Sequence, residues 1–428
     1  MSCPQITRIV LLIALTATCA VGQESVDTHT RRGMIAAEAN NLKAAERHFA
    51  AAASLAPTDP SAKNNYGAIL MRLGRTAEAR TQFEASLKLN PDQPSALTNL
   101  AQIYFKSGQP DDLQMARSLL ERVAKNTSDP AVSHALVITT LKLGQVLMEK
   151  GDLRSAGRTL ESAVASGLDD AKIYAALAEV YQADGHYENA IPAMRLAVLR
   201  DPQNEMYHFR YGLLLTDSHA PGAGILRLQE ALKQFPNSAR LWLALGIAQL
   251  THGQNVEAEN SFKRSLAVDA KLVPAIAYLG VTYAERGAYG KAIDFYEQAI
   301  ALSAKLGALY YLAADTMLKT ANADTTRAER YLKRATELDP NLAGAYLAWG
   351  RHYVRTNRHS EAAPLLERAV SLQPELLEAH YQLSRVYVKL KRTEDANREL
   401  AIFKELSEKQ KARNESREIV RRLANVRF

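Results

Sequence analysis

Few residues of this sequence have the types and spacings that catalysis or metal binding requires. His352 and His359 are seven positions apart, which is not a usual spacing for a pair of metal ligands. The segment 287–292, Gly-Ala-Tyr-Gly-Lys-Ala, resembles a phosphate-binding loop only in part, because it lacks the first glycine and the hydroxyl residue after the lysine. We therefore expect no catalytic residue, no metal site and no cofactor, and we expect that the protein is not an enzyme.

Other residues have the chemistry of binding. Asn65 and Asn99 lie 34 positions apart, and two carboxamides in a row can bond both the N–H and the C=O groups of an extended peptide. A second set consists of four cations suited to a carboxylate or an acidic segment, at Arg351, Arg355, Arg385 and Lys389. For both sets the alternative is a group of ordinary polar residues on a solvated helix face.

A repeat of 34 positions underlies these side chains. Small residues mark it in three runs, at Gly33, Gly67 and Ala101, at Gly144, Ala178, Gly212, Gly246, Gly280 and Ala314, and at Gly350 and Ser384. Twelve positions later most units carry an alanine such as Ala45, and four positions further a bulky residue such as Phe49. Since two antiparallel helices pack closely only where small side chains meet, the pattern predicts about eleven helix-turn-helix units.

The spacing within a unit resembles that of the tetratricopeptide repeat (TPR) family. One unit contains Ile276-x2-Leu279-Gly280-x2-Tyr283 followed by Ala292-x3-Tyr296, and another contains Trp242-x2-Leu245-Gly246 followed by Ala258-x3-Phe262. The resemblance covers residues 27–403. It implies an all-α fold, a right-handed superhelical solenoid in which the first helix of each unit, helix A, lines a concave groove and the second, helix B, lies on the convex side.

Departures from the period suggest how the chain is divided. Nine extra residues lie between Ala101 and Gly144, and Ser128-Asp129-Pro130 has the composition of a helix start, so we expect an extended helix A in repeat 4. This predicts a boundary between repeats 1–3, residues 23–130, and repeats 4–11, residues 131–403. Apolar residues continue beyond the last repeat, and we expect a C-terminal capping helix over residues 404–428.

The first 22 residues have the pattern of a secretory signal peptide. Arg8 precedes a 14-residue apolar run that ends in small residues, shorter than the roughly 20 residues that span a bilayer. We expect an exported protein, periplasmic or secreted, that keeps no stable membrane span once residues 1–22 are removed. Two alternatives tether the chain to a membrane, through an uncleaved N-terminus or through a lipid at Cys19.

The net charge of +7 does not point to nucleic acid. Residues 404–428 contribute +4 and the first 22 residues +1, which leaves only +2 on residues 23–403. We therefore expect a protein or peptide ligand and no nucleic-acid partner.

The resemblance also indicates where a ligand would bind. Groove-facing positions on the A helices of this chain are Asn64, Asn65, Asn99, Gln102, Arg210, Tyr311, Arg351, Arg355, Tyr381, Arg385 and Lys389. The function it implies is a non-enzymatic scaffold that binds proteins or extended peptides in the groove. The alternative is an accessory subunit that grips the substrate of a glycan-handling or secretion enzyme complex.

Overall fold

The structure, a computed structural model, describes residues 25–320 and 324–424, with side chains up to residue 411. Within these ranges it contains 22 α-helices and no β-strand, so the predicted all-α fold is confirmed. The A helices are α1 (Val26–Glu38), α3 (Pro60–Arg72), α5 (Pro94–Ser107), α7 (Pro130–Glu149), α9 (Ala171–Ala183), α11 (Glu205–Asp217), α13 (Ala239–Thr251), α15 (Val273–Glu285), α17 (Gly307–Met317), α19 (Ala343–Arg355) and α21 (Leu377–Lys389). The B helices are α2 (Leu42–Leu55), α4 (Thr76–Leu89), α6 (Pro110–Ala124), α8 (Leu153–Ala165), α10 (Tyr187–Arg200), α12 (Pro221–Gln234), α14 (Asn255–Val268), α16 (Tyr289–Leu302), α18 (Thr325–Leu338), α20 (His359–Leu372) and α22 (Thr393–Ala424).

Small residues allow the two helices of a repeat to approach closely, as the spacing predicts. A Cβ atom added to Gly246 of α13 would lie 2.4 Å from the ring of Phe262 in α14. The same contact recurs in the next repeat, where a Cβ on Gly280 would lie 2.5 Å from the ring of Tyr296. Both rings are buried, so glycine on helix A makes room for the large side chain of helix B.

The extended A helix of repeat 4 is also confirmed. Pro130 is the first residue of α7, and the Asp129 side chain accepts a hydrogen bond of 2.9 Å from the backbone N–H of Ala131. Helix α7 has 20 residues where most A helices have 13. Val132 and Leu136 in its added turns are buried against the core of repeat 3. Among the described residues, α7 is the one helix that is long and apolar enough to cross a membrane by length and composition.

Carboxylates of B helices connect successive repeats. Glu329 of α18 lies 2.9 Å from Arg358 and accepts a hydrogen bond of 3.2 Å from the hydroxyl of Tyr353, both in the next repeat. Glu367 of α20 accepts one of 2.7 Å from Tyr387 in the same way. The Arg358 guanidinium also lies 3.7 Å from the centroid of the Tyr353 ring. That of Arg392 lies 3.3 Å from Glu367 and 4.1 Å from the centroid of the Tyr387 ring, so each connection joins a charge pair to a cation–π contact.

The helices form two compact units, one ending at Pro202 and the other beginning at Gln203. The first unit holds repeats 1–5 and the second holds repeats 6–11. The boundary predicted near residue 130 stays a prediction. Helix α22 runs without a break from Thr393 to Ala424, since no proline or glycine interrupts it, and residues 404–424 of the expected capping segment continue this helix. The predicted signal peptide lies outside the described residues.

Candidate peptide-binding surfaces

An amide hydrogen bond joins the A helices of repeats 2 and 3. Asn99 on α5 donates through Nδ2 to Oδ1 of Asn64 on α3, over 3.1 Å. The Asn64 side chain is buried, and its own Nδ2 lies 3.5 Å from Oδ1 of Asn65. The partner of Asn99 in the structure is thus Asn64, although the 34-residue spacing points to Asn65, because consecutive helix positions face different directions and Asn64 faces α5.

Next to these amides the structure forms a mainly apolar cavity of about 390 Å³, which lies between α5 and α7. Its lining consists of Thr98, Ala101, Gln102, Phe105, Leu120, Ala135, Ile138 and Thr139. Of the α7 residues in this set, Ala135 lies in the added turns of the helix, and Ile138 and Thr139 lie just after them. Gln102 is the predicted groove residue that lines it.

An exposed apolar side chain lies at the opening of this cavity. Ile138 is 41% exposed, whereas the neighbouring Leu136 and Val137 are buried. Gln102 and Thr139 place polar groups at the same cavity. Apolar walls with a few polar groups are the usual composition of a ligand pocket.

The A helices of repeats 2–4 are rich in cations and poor in carboxylates. Helices α3, α5 and α7 contain four cations, at Lys63, Arg72, Lys106 and Lys142. They contain one carboxylate, Glu149 at the end of α7, which accepts a hydrogen bond from Gln145. Lys106 and Lys142 are exposed, and each lies within four residues of a residue that lines the cavity. These three A helices therefore carry a net charge of 4 − 1 = +3.

The second unit has a polar cavity of similar volume, about 390 Å³, between α17 and α19. It is lined by Tyr289, Asp315, Leu318, Lys319, Thr320, Ala348, Arg351, His352 and Arg355. Two of the four predicted cations, Arg351 and Arg355, meet here, whereas Arg385 and Lys389 lie on α21 and do not line the cavity. The four cations therefore do not form one cluster, since the A helices of repeats 10 and 11 present them at different places.

The remaining predicted groove residues are not in the lining of either cavity. Tyr311 on α17 is half-buried, and burial raises its pKa above the ordinary value; a Cβ on Gly344 of the next A helix would lie 3.1 Å from its ring. The Tyr381 ring lies 5.3 Å from that of Phe403 in α22 and 5.7 Å from the Arg385 guanidinium. Arg210 is half-buried on α11. These residues contact neighbouring helices, and their role in binding stays a prediction.

Several lining residues were not predicted from the sequence. Phe105 and Ile138 were missed because the predicted groove residues were chosen among polar and charged side chains, and both of these are apolar. Lys319 was missed because it follows the last turn of α17. In residues 25–320 and 324–424 no group of three or more His, Cys, Asp or Glu side chains is placed to hold a metal ion.

Comparison with known proteins establishes the family. Sequence profiles described as TPR repeat or tetratricopeptide repeat match residues 30–82, 67–108, 141–205, 212–273, 275–308 and 356–405, well over half of the chain. The chain belongs to the tetratricopeptide repeat family. Among curated relatives of this TPR protein, the BBSome complex member BBS4 of Bos taurus is 25% identical over 203 residues, 47% of this chain and 38% of the relative. Anaphase-promoting complex subunit 3 of Schizosaccharomyces pombe is 20% identical over 186 residues, 44% of this chain and 28% of the relative.

The TPR protein thus matches less than half the length of these two curated relatives. Its helices also resemble those of solved structures. The crystal structure of yeast Tom70 superposes with a TM-score of 0.48 at 15% identity, over 94% of this chain and 97% of that one. The crystal structure of PilW, described as a widely conserved type IV pilus biogenesis factor, gives a TM-score of 0.42 at 24% identity, over 50% and 96% of the two chains.

Proposed function

We propose that this TPR protein is a non-enzymatic scaffold whose first unit binds an extended segment of a partner protein. The segment inserts one apolar side chain into the cavity between α5 and α7 and carries acidic residues beside it. The observation that supports this most directly is the cavity itself, which is mainly apolar and has the exposed Ile138 at its opening.

Burial of an apolar side chain supplies the affinity in this proposal. A volume of about 390 Å³ accommodates a large aliphatic or aromatic side chain. Complete burial of such a side chain contributes about 1.5–3 kcal/mol. Phe105 and Ile138 supply apolar walls on the two helices, and Gln102 offers an amide to the backbone of the bound segment.

Charge supplies the preference for an acidic partner. Lys106 and Lys142 lie on opposite sides of the cavity, on α5 and α7, and no carboxylate is present on α5. A segment with Asp or Glu beside its apolar residue is attracted to this surface, and a basic segment is repelled.

Selection from a random peptide library displayed on phage, with the full chain as bait, tests the proposal. We expect enrichment of peptides with a large apolar residue flanked by Asp or Glu. For a synthetic peptide of the enriched sequence, Ile138→Glu lowers the affinity by more than about tenfold in fluorescence polarisation.

The matched control is Leu199→Glu, which places the same charge at an apolar residue of the first unit that is 64% exposed and outside the cavity. Equal affinity of wild type and Ile138→Glu for the selected peptides would refute the proposed site.

We further propose that the scaffold acts after export. The charged start, apolar run and small residues of 1–22 support this. N-terminal sequencing of the protein recovered from its source cells tests it, with cleavage near residue 22 expected. A cytoplasmic chain that retains Met1 would contradict export and leave the binding proposal intact.

A further inference from the structure

The polar cavity of the second unit has more cations than carboxylates in its lining. Three cations line it, Lys319 on the α17 side and Arg351 and Arg355 on α19. Asp315 is the carboxylate in its lining, and it contacts Lys319 at 2.7 Å and Arg351 at 2.5 Å. Glu378 of α21 contacts Arg351 at 3.0 Å. The three cations therefore have two carboxylate neighbours, Asp315 and Glu378.

Arg355 is the cation without a carboxylate among the described residues. It donates through Nη1 to the backbone carbonyl of Leu318, over 2.8 Å, at the C-terminal end of α17. A neutral carbonyl uses one of the five N–H groups of a guanidinium and leaves its charge uncompensated. Arg355 is also exposed, so it is open to a solute at the cavity.

A second observation concerns His352, which lines the same cavity. Its side chain is 1% exposed, and Nε2 lies 3.1 Å from a carboxylate oxygen of Glu329. Its other nitrogen, Nδ1, is buried and has no hydrogen-bond partner within the described residues. A buried polar atom without a partner is destabilising and is rare in folded proteins. Because a carboxylate only accepts, Nε2 donates its N–H to Glu329 and Nδ1 of the neutral ring is an acceptor. The O–H group of a hydrogen phosphate or of another ligand in the cavity is one partner for this nitrogen.

We propose that this cavity binds an oxyanion, either a carboxylate or a phosphate group. Arg355 has no carboxylate partner among the described residues, Lys319 and Arg351 add further N–H donors, and His352 adds a ring nitrogen that accepts from a ligand O–H group. Charge-assisted hydrogen bonds from guanidinium and ammonium groups are the usual way in which proteins bind both kinds of group. The site lies in the second unit and does not depend on the proposed peptide site in the first.

Thermal denaturation of the full chain tests the proposal with sodium phosphate and sodium acetate as separate probes. Each is compared with sodium chloride at the same ionic strength, because a ligand that binds the folded chain raises Tm in a saturable way. We expect such a rise for at least one probe, and Arg355→Gln should weaken the apparent affinity roughly tenfold. Arg264→Gln, a change of the same kind at an exposed residue of α14 outside the cavity lining, should leave the affinity unchanged.

The two probes distinguish the source of the oxyanion. A response to acetate alone identifies a carboxylate, and a response to phosphate alone identifies a phosphate group. If Arg355→Gln does not fold, Lys319→Gln serves as the second variant, with the same expected loss. The proposal is overturned if neither probe raises Tm beyond the chloride reference, or if the rise persists unchanged in the cavity variants.

Discussion

The side-chain amide of Asn99 donates a 3.1 Å hydrogen bond to the side-chain carbonyl of Asn64, one repeat earlier in the chain. Because the Asn64 side chain is buried, the bond fixes how two A helices lie against each other inside the first unit. Helix α5 also borders the cavity that lies between α5 and α7. Its position therefore affects both the hydrogen bond to Asn64 and the shape of the cavity.

We predict that Asn99→Ala destabilises the chain, because it leaves the buried Asn64 amide without its partner. The free energy of unfolding should fall by about 1–3 kcal/mol, measured by urea denaturation of the first unit's helices. Gln102→Ala is the matched control, since Gln102 is an exposed amide on the same helix and takes no part in the bond between repeats. A loss equal to that of the control would mean that the bond contributes little.

Gly246→Ala should also destabilise the folded chain, since the added Cβ would lie 2.4 Å from the Phe262 ring. Forcing this ring to move costs about 1–3 kcal/mol. The control is Gly290→Ala in α16, where an added Cβ meets nothing within 4 Å and alanine improves helix propensity. Thermal unfolding should show a lower Tm for Gly246→Ala and an equal or higher Tm for Gly290→Ala. The reverse order would contradict the packing described for the A and B helices.

Alkaline pH should destabilise the second unit through Tyr296. Burial raises the pKa of this hydroxyl from 10.0 to about 12. Between these values the unfolded chain loses the proton and the folded chain keeps it, so stability is complete below pH 10 and falls as pH rises towards 12. The slope should be about 1 kcal/mol per pH unit.

Urea denaturation at several pH values, with Tyr296→Phe as reference, separates the contribution of the Tyr296 hydroxyl from that of the other tyrosines. The difference in unfolding free energy between wild type and variant should change with the stated sign. A pH-independent difference would show that the Tyr296 hydroxyl titrates alike in both states.

Peptide binding to the first unit should weaken as salt is added. Lys106→Glu and Lys142→Glu reverse two exposed charges near the cavity, and each should slow association with an acidic peptide and reduce the salt dependence. Stopped-flow kinetics at several ionic strengths measures both effects. Lys172→Glu on α9, outside the cavity lining, is the comparison. If the wild type and the three lysine variants show identical salt dependence, charge does not contribute to recognition of the peptide.

The repeat pattern predicts much of the architecture and less of the sites. Gly246 and Phe262 could be paired from the sequence because most repeats place a small residue and a bulky one at the same offset, and packing admits few alternatives. The partner of Asn99 could not be predicted from the sequence, because which side chain faces Asn99 depends on the angle between the two helices. Arg351 illustrates the same limit, because its two carboxylate partners come from different repeats on either side.

The extra turns of α7 make one repeat unlike the other ten. An array of equal units offers a ligand the same surface many times, so a peptide could bind in several registers. The added turns pack Val132 and Leu136 against repeat 3 and place Ala135 in the cavity lining, which distinguishes this position in the array. Repeats of 34 residues added or removed near the ends of the array would change its length and leave the cavity between α5 and α7 unchanged.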